Sequence, residues 1–257
     1  MTTTFPYVPT PRSEALRAGW LAVHVPSQAT VTSVGGGTLA TTARAARPAD
    51  RLPRATRVLA VTARPGQETT DLGALLYALG RSGARVHLLT LTRGEASEAN
   101  ATLQRLESVR PFELQLAAAV LGVSSVAIAD YPDGRLGACG PGVLTQRVGR
   151  AIREYSPDLL LITDPAEDGL DDAVVGAVTC AAARAAGLPV AARTVTAARG
   201  GWQVDLGQHA EQARAAQRSA LAAHASQSGA WDDLPGRLRL PGRSEWLRWL
   251  VPPPDIA

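Results

Sequence analysis

Three short polar stretches hold most of the residues capable of acid–base or ligand chemistry. The stretch DPAEDGLDD carries five acids, Asp164, Glu167, Asp168, Asp171 and Asp172. TARPGQE pairs one guanidinium, Arg64, with one carboxylate, Glu68, and TRGEASE places Arg93 beside Glu95. Carboxylates in such number can serve general acid–base work or hold a hard cation through oxygen. The spacing matches no EF-hand, and a solvated turn capped by Asp171 or Asp172 is the simpler reading. Arginines at loop ends can grip a carboxylate or phosphate through two parallel hydrogen bonds. Arg110 is a further candidate anchor, with a helix-terminus pair to Glu113 as its structural alternative.

Other chemistries are excluded by residue type. All 26 basic residues are arginine, so Schiff-base and P-loop lysine mechanisms are absent. Cys139 and Cys180 fit no paired-cysteine metal motif. The four histidines, His24, His87, His209 and His224, lie outside the polar stretches, so no histidine ligand is expected there. There is no GxGxxG, Walker or GxSxG signature. Net charge is +3, too little to argue for nucleic acid.

The elements that must position these residues alternate between two periods. RVLAVTA, RVHLLTLT, SVAIAD and DLLLIT are short apolar runs that read as strands. Between them lie the helical patterns TDLGALLYALGRSG, RPFELQLAAAVLG, VLTQRVGRAIREYS and DDAVVGAVTCAAARAAG. The first is expected to start at Thr70 or Asp71. Residues 99–109 read as a helix of their own, with Pro111 in the first turn of the next. PVAARTVTA and WQVDL are further candidate strands, and HAEQARAAQRSALAAHASQ a last helix. This alternation predicts an α/β, Rossmann-like, three-layer fold with a mainly parallel sheet. Ligands in such sheets bind beyond the carboxyl ends of the strands. That rule selects residues 63–70, 92–98, 130–142 and 164–172, the stretches richest in polar groups.

The same residues resemble the LmbE-like (PIG-L) N-acetylglucosaminyl deacetylases. The family's AHPDDE box appears as Ala63-Arg64-Pro65-Gly66-Gln67-Glu68, and its T-x-G-E turn as Thr92-Arg93-Gly94-Glu95. Its R-x-x-E helix ending in L-G appears as Arg110, Glu113, Leu121 and Gly122. The P-D-G turn appears as Pro132-Asp133-Gly134 and the P-D before the fourth strand as Pro157-Asp158. The late helix with H-x-S-Q appears as Arg218, Ala220, Leu221, His224, Ser226 and Gln227. The resemblance runs in order over about residues 55–250.

The departures fall on the chemistry. The resemblance implies one zinc held by the His and second Asp of AHPDDE and the last His of an H-x-D-H box, with the first Asp as general base. Those positions read Arg64, Gln67, Asp172 and Gly66, while Glu68 and the internal acid Asp171 remain. An arginine has no lone pair to offer a metal. The expectation is therefore a protein without metal or cofactor, in which Arg64 forms a salt-bridge network with Glu68, Asp171 or Asp172. The function expected is that of a catalytically inactive homologue with a ligand-binding or protein-interaction role. The alternative is an active hydrolase, N-deacetylase- or amidase-like, with a rewired carboxylate-based or non-zinc site. Arg64, Arg93, Glu95, Arg110 and Asp168 are the candidate ligand-binding residues, and a sugar-like or acidic metabolite the expected ligand.

A protein partner or homo-oligomer is also compatible with the sequence. Residues 1–54, rich in proline, are expected to pack on the main domain as an extension through Phe5, Tyr7, Trp20 and Leu21. The C-terminal GRLRLPGRSEWLRWL invites a nucleic-acid reading, yet Trp246 and Trp249 fit core cover flanked by arginine stems better. Neither a signal peptide nor a membrane-spanning run is visible, so a cytoplasmic protein is expected.

Overall fold

The computed structural model describes residues 50–97, 105–167, 169–195, 200–227 and 242–254. The chain divides into two compact units, residues 1–43 and 44–257, and every described residue lies in the second. The expected docking of the N-terminal extension therefore falls outside the described residues, apart from 50–54.

Five adjacent parallel strands form the larger part of the sheet. These are β2 (Arg57–Thr62), β3 (Arg85–Thr92), β4 (Ser125–Tyr131), β5 (Leu159–Thr163) and β6 (Val190–Thr194). Three more strands extend it: β1 (Asp50–Arg51), β7 (Trp202–Asp205) and β8 (Ser244–Val251). The sheet order is β1-β7-β8-β6-β5-β2-β3-β4. Strand β8 runs antiparallel to both its neighbours, and β1 pairs parallel with β7.

The continuous apolar runs are explained by burial on both faces. In β2, Val58 and Ala60 join one core with helices α2 (Gly73–Arg81), α3 (Leu106–Val120) and α6 (Ala210–Ala223). Leu59 and Val61 join the opposite core with α4 (Pro141–Tyr155) and α5 (Leu170–Ala186). The three-layer α/β arrangement is thus the one the alternation predicts.

Several expectations need correction. The first helix does not run from Thr70. A four-residue helix α1 (Gln67–Thr70) precedes α2, and Leu72 stands before α2 without a side-chain cap. Gln217 of α6 donates through Nε2 to the carbonyls of Thr69 and Thr70, at 2.8 and 3.1 Å, which satisfies backbone groups at this break. Pro111 does not open a new helix but sits inside α3. A proline there leaves the carbonyl four residues earlier without its helical donor. That carbonyl, Glu107, accepts from Arg93 Nη1 at 3.4 Å. Trp246 and Trp249, to which the sequence assigned no element, lie in strand β8; Trp249 packs against the core as expected, its ring 5.1 Å from that of Trp202 with the planes tilted by 30°. Among the described residues no helix is long and apolar enough to cross a membrane.

Candidate functional site

The strand order reverses at β2 and β5, which lie side by side with β3 and β4 to one flank and β6 to the other. Such a switch point opens a crevice at the carboxyl ends of the strands. Here the loop after β2 supplies Arg64, Gly66 and Gln67, and the start of α5 supplies Asp172.

Gln67 and Asp172 are locked to each other. Gln67 Nε2 donates to Asp172 Oδ1 at 2.6 Å, and its Oε1 accepts from the Ala63 and Arg64 amides at 2.9 and 3.3 Å. Thr163, at the end of β5, donates to the same Asp172 oxygen at 3.3 Å. Arg64 Nη1 stands 3.8 Å from Asp172 Oδ2, with the arginine side chain 38% exposed and the aspartate side chain fully buried. The cation thus forms a loose, partly exposed ion pair with a buried carboxylate. Gly66 adopts φ 107° and ψ −35°, a conformation that disfavours any side chain.

The other acids have partners of their own, so the broad Arg64 network does not form. Glu68 is fully buried and turns beneath the loop, where its Oε1 lies 2.7 Å from His224 Nε2 and accepts the Thr69 hydroxyl at 2.6 Å. Its Oε2 accepts the Gly66 amide at 2.7 Å. Asp171 accepts the Gly134 and Leu136 amides at 2.7 and 3.0 Å. Burial raises its pKa, against the pull of those two amides and of Arg64. Neither Asp171 nor Asp172 caps α5, whose N-cap is Gly169 without a side-chain bond. Asp164 binds Arg248 of β8 in a two-pronged pair at 2.5 and 2.6 Å. Glu167 accepts the Val195 amide at 2.9 Å and the Thr194 hydroxyl. Asp168 lies outside the described residues.

The remaining candidates organise loops. Arg110 is buried and donates to the carbonyls of Pro65, at 2.5 Å, and Gly94. It binds the β2 loop to the β3 loop and makes no pair with Glu113. Its burial lowers the guanidinium pKa, which the carboxylates of Asp133, Glu68 and Glu113 oppose. Gly94 is required for this clamp, since a Cβ there would lie 2.3 Å from Arg110 Nη1 and the residue has φ +75°. Glu113 instead receives the Ser226 amide and hydroxyl at 2.7 and 2.6 Å. Glu95 accepts the Asp133 amide at 2.8 Å, and Asp133 accepts Thr92 Oγ1 and the Ala96 amide at 3.2 and 3.1 Å. Arg93 pairs on the surface with Asp130 at 2.7 Å.

His224 was outside the loops selected from sequence, yet it reaches the first of them. The H-x-S-Q pattern was the available signal; the 156-residue separation from Glu68 hid the contact. Thr163, Gln217 and Arg248 carried no such signal. His87 lies in β3, stacked on Tyr155 at 4.4 Å and bonded through Nδ1 to Ser125 Oγ at 2.7 Å.

The residues at the positions that the resemblance assigns to zinc ligands do not suit the metal. Arg64 has no lone pair to donate, and Gln67 Oε1 already accepts two amides, which leaves Asp172 as the one anionic donor of the three. Among the described residues no group of three His, Cys, Asp or Glu side chains could hold a metal ion.

Comparison with known proteins defines the class first. Residues 59–183 match the family described as PIG-L: GlcNAc-PI de-N-acetylase. A 1D-myo-inositol 2-acetamido-2-deoxy-alpha-D-glucopyranoside deacetylase of Kineococcus radiotolerans is 35% identical over 126 residues. That match covers 46% of this chain and 35% of the relative, about a third of its length. In fold, a triple mutant of a deacetylase of the teicoplanin biosynthetic pathway superposes with TM-score 0.65 and 18% identity, over 79% of this chain and all of that one. The N,N'-diacetylchitobiose deacetylase of Pyrococcus horikoshii superposes with TM-score 0.62 and 18% identity, over 79% and 89% of the two chains.

Proposed function

We propose that this chain is a deacetylase-like protein that has lost the zinc site and binds a small sugar-like or acidic ligand in the crevice at the carboxyl ends of β2 and β5. The observation carrying the reading is the closure of Gln67 on Asp172 at 2.6 Å beneath Arg64. Three positions that would hold a metal are here bonded to one another or to backbone. Arg64, half out of the crevice and only loosely paired, is the group best placed to receive an anionic ligand.

A carboxylate-based hydrolase finds less support. Glu68, Glu95, Asp164, Glu167 and Asp171 all accept hydrogen bonds that hold loops together. Gly66 has no proton acceptor to offer where the family has its general base.

The test is a thermal-shift and calorimetric screen of the full chain with phosphorylated and carboxylated sugars, beside an N-acetylglucosaminide hydrolysis assay with and without added zinc. The expected result is saturable binding that Arg64→Ala weakens at least tenfold, with no hydrolysis. Hydrolysis by the wild type that Asp172→Asn abolishes would overturn the reading.

A further inference from the structure

Helix α3 and strand β4 are the outermost pair at one end of the layers, because β4 ends the sheet. Four large apolar residues of α3 are exposed: Val109, Phe112, Leu116 and Val120, at 38, 62, 46 and 41%. Their spacing of three, four and four places them in one row along three turns. The exposed positions between them, Gln115 and Ala119, are uncharged, as is Ser108 just before the row, and the exposed Glu107 lies in the first turn of the helix. The outward-facing surface of α3 from Ser108 to Val120 therefore carries no charge.

Strand β4 adds a second, independent feature. From Ser125 to Ile128 it pairs in regular register with β3 on one side. Among the described residues its other side has no strand partner, and from Ser125 to Ile128 its residues are partly exposed and uncharged. A flat edge of this kind offers a row of backbone donors and acceptors to another strand.

We propose that this face is the two-fold interface of a homodimer. A symmetric contact sets each patch against itself, so a charge-free patch suits a second copy, bringing no like charges together. An axis perpendicular to the sheet near Ala127 runs the two β4 strands antiparallel and continues the sheet across the dimer. The same axis sets the two α3 helices antiparallel on one face. With each α3 seated half a strand spacing inside β4, the two helices stand two strand spacings apart, about 9.6 Å, within the 8–10 Å at which helices pack, so this seating lets both contacts form together. Phe112 of one copy then meets Leu116 of the other. The charged member of the strand, Asp130, is held by Arg93 and lies about 20 Å from its twin across the axis. The row on α3 alone is too small for a stable dimer, which buries about 800 Å² per partner, so the strand edge is an essential part of the interface.

The test measures the mass of the full chain in solution, with amide hydrogen exchange of β4. Two double variants are compared, Phe112→Arg with Leu116→Arg, and Phe112→Glu with Leu116→Glu. The expected result is a wild-type dimer with slowly exchanging β4 amides, and monomers with faster β4 exchange for each variant alone. An equimolar mixture of the variants should regain dimers, because every Phe112–Leu116 contact becomes an Arg–Glu pair. A monomeric wild type, dimers unaffected by either variant, or a mixture that stays monomeric would overturn the proposal. Retained near-ultraviolet circular dichroism in each variant separates loss of association from loss of folding.

Discussion

At the residue scale, Gln67 and Arg64 make different contributions to the same buried aspartate. Gln67 is itself buried and links Asp172 to two backbone amides of the β2 loop. Replacing it by alanine leaves those amides without their acceptor, and leaving buried polar groups unpaired costs about 1–3 kcal/mol. Arg64 is partly exposed and 3.8 Å from its partner, so Arg64→Ala should cost about 1 kcal/mol or less. Urea unfolding of the two variants should therefore show the larger loss for Gln67→Ala. Asp158 gives a pH-dependent counterpart. Burial works to raise its pKa, but the Thr56 hydroxyl and the Thr56 and Arg57 amides together bring it below the usual value. A lowered folded pKa means stability that is present above the unfolded value and lost as pH falls through the folded one. Asp158→Asn should cost about 1 kcal/mol at neutral pH, and the difference should shrink below about pH 4. A difference that grows in acid would contradict this assignment.

At the scale of elements, the motif residues shared with the deacetylases act largely as fasteners between loops. Glu68 holds His224, Glu113 holds Ser226, and Arg110 ties the loops after β2 and β3. Ser97 donates to Gln227 Oε1 at 2.6 Å, which completes the seat for the end of α6. His224→Ala should leave the buried Glu68 carboxylate with one partner fewer and lower stability by about 1–3 kcal/mol, read as a fall in Tm. Ser226→Ala should cost less, because Glu113 keeps the Ser226 amide.

Strands β2, β3 and β5 were legible from sequence because burial on both faces writes a predominantly apolar run, interrupted in β3 by His87, Thr90 and Thr92. Strand β8 was not, because SEWLRWLV mixes charges with apolar residues. Its Glu245 is buried between Arg193 and Arg214, while Arg248 serves Asp164. Pro111 misled for a related reason: the group that compensates for its missing donor, Arg93, comes from another element. The site followed the same pattern. Arg64, Gln67 and Asp172 could be selected by their place in a motif, but which acid each residue faces depends on contacts across more than a hundred positions.

At the scale of the whole molecule, a fold similar to that of solved deacetylases brings the loop after β2 against the start of α5, where Gln67 and Asp172 are bonded to each other. With φ 107° at Gly66, an aspartate there would add strain of about 1–3 kcal/mol, so the metal-binding test is cleaner without it. The central claim is that metal binding was lost through side chains while the crevice kept its shape. The most direct measurement is the zinc content of two purified proteins, the wild type and the triple variant Arg64→His, Gln67→Asp, Asp172→His, each incubated with zinc and passed through a desalting column. The account predicts no stoichiometric zinc in the wild type and one zinc per chain in the triple variant. Stoichiometric zinc in the wild type that Asp172→Ala removes, or a folded triple variant that binds none, would contradict it.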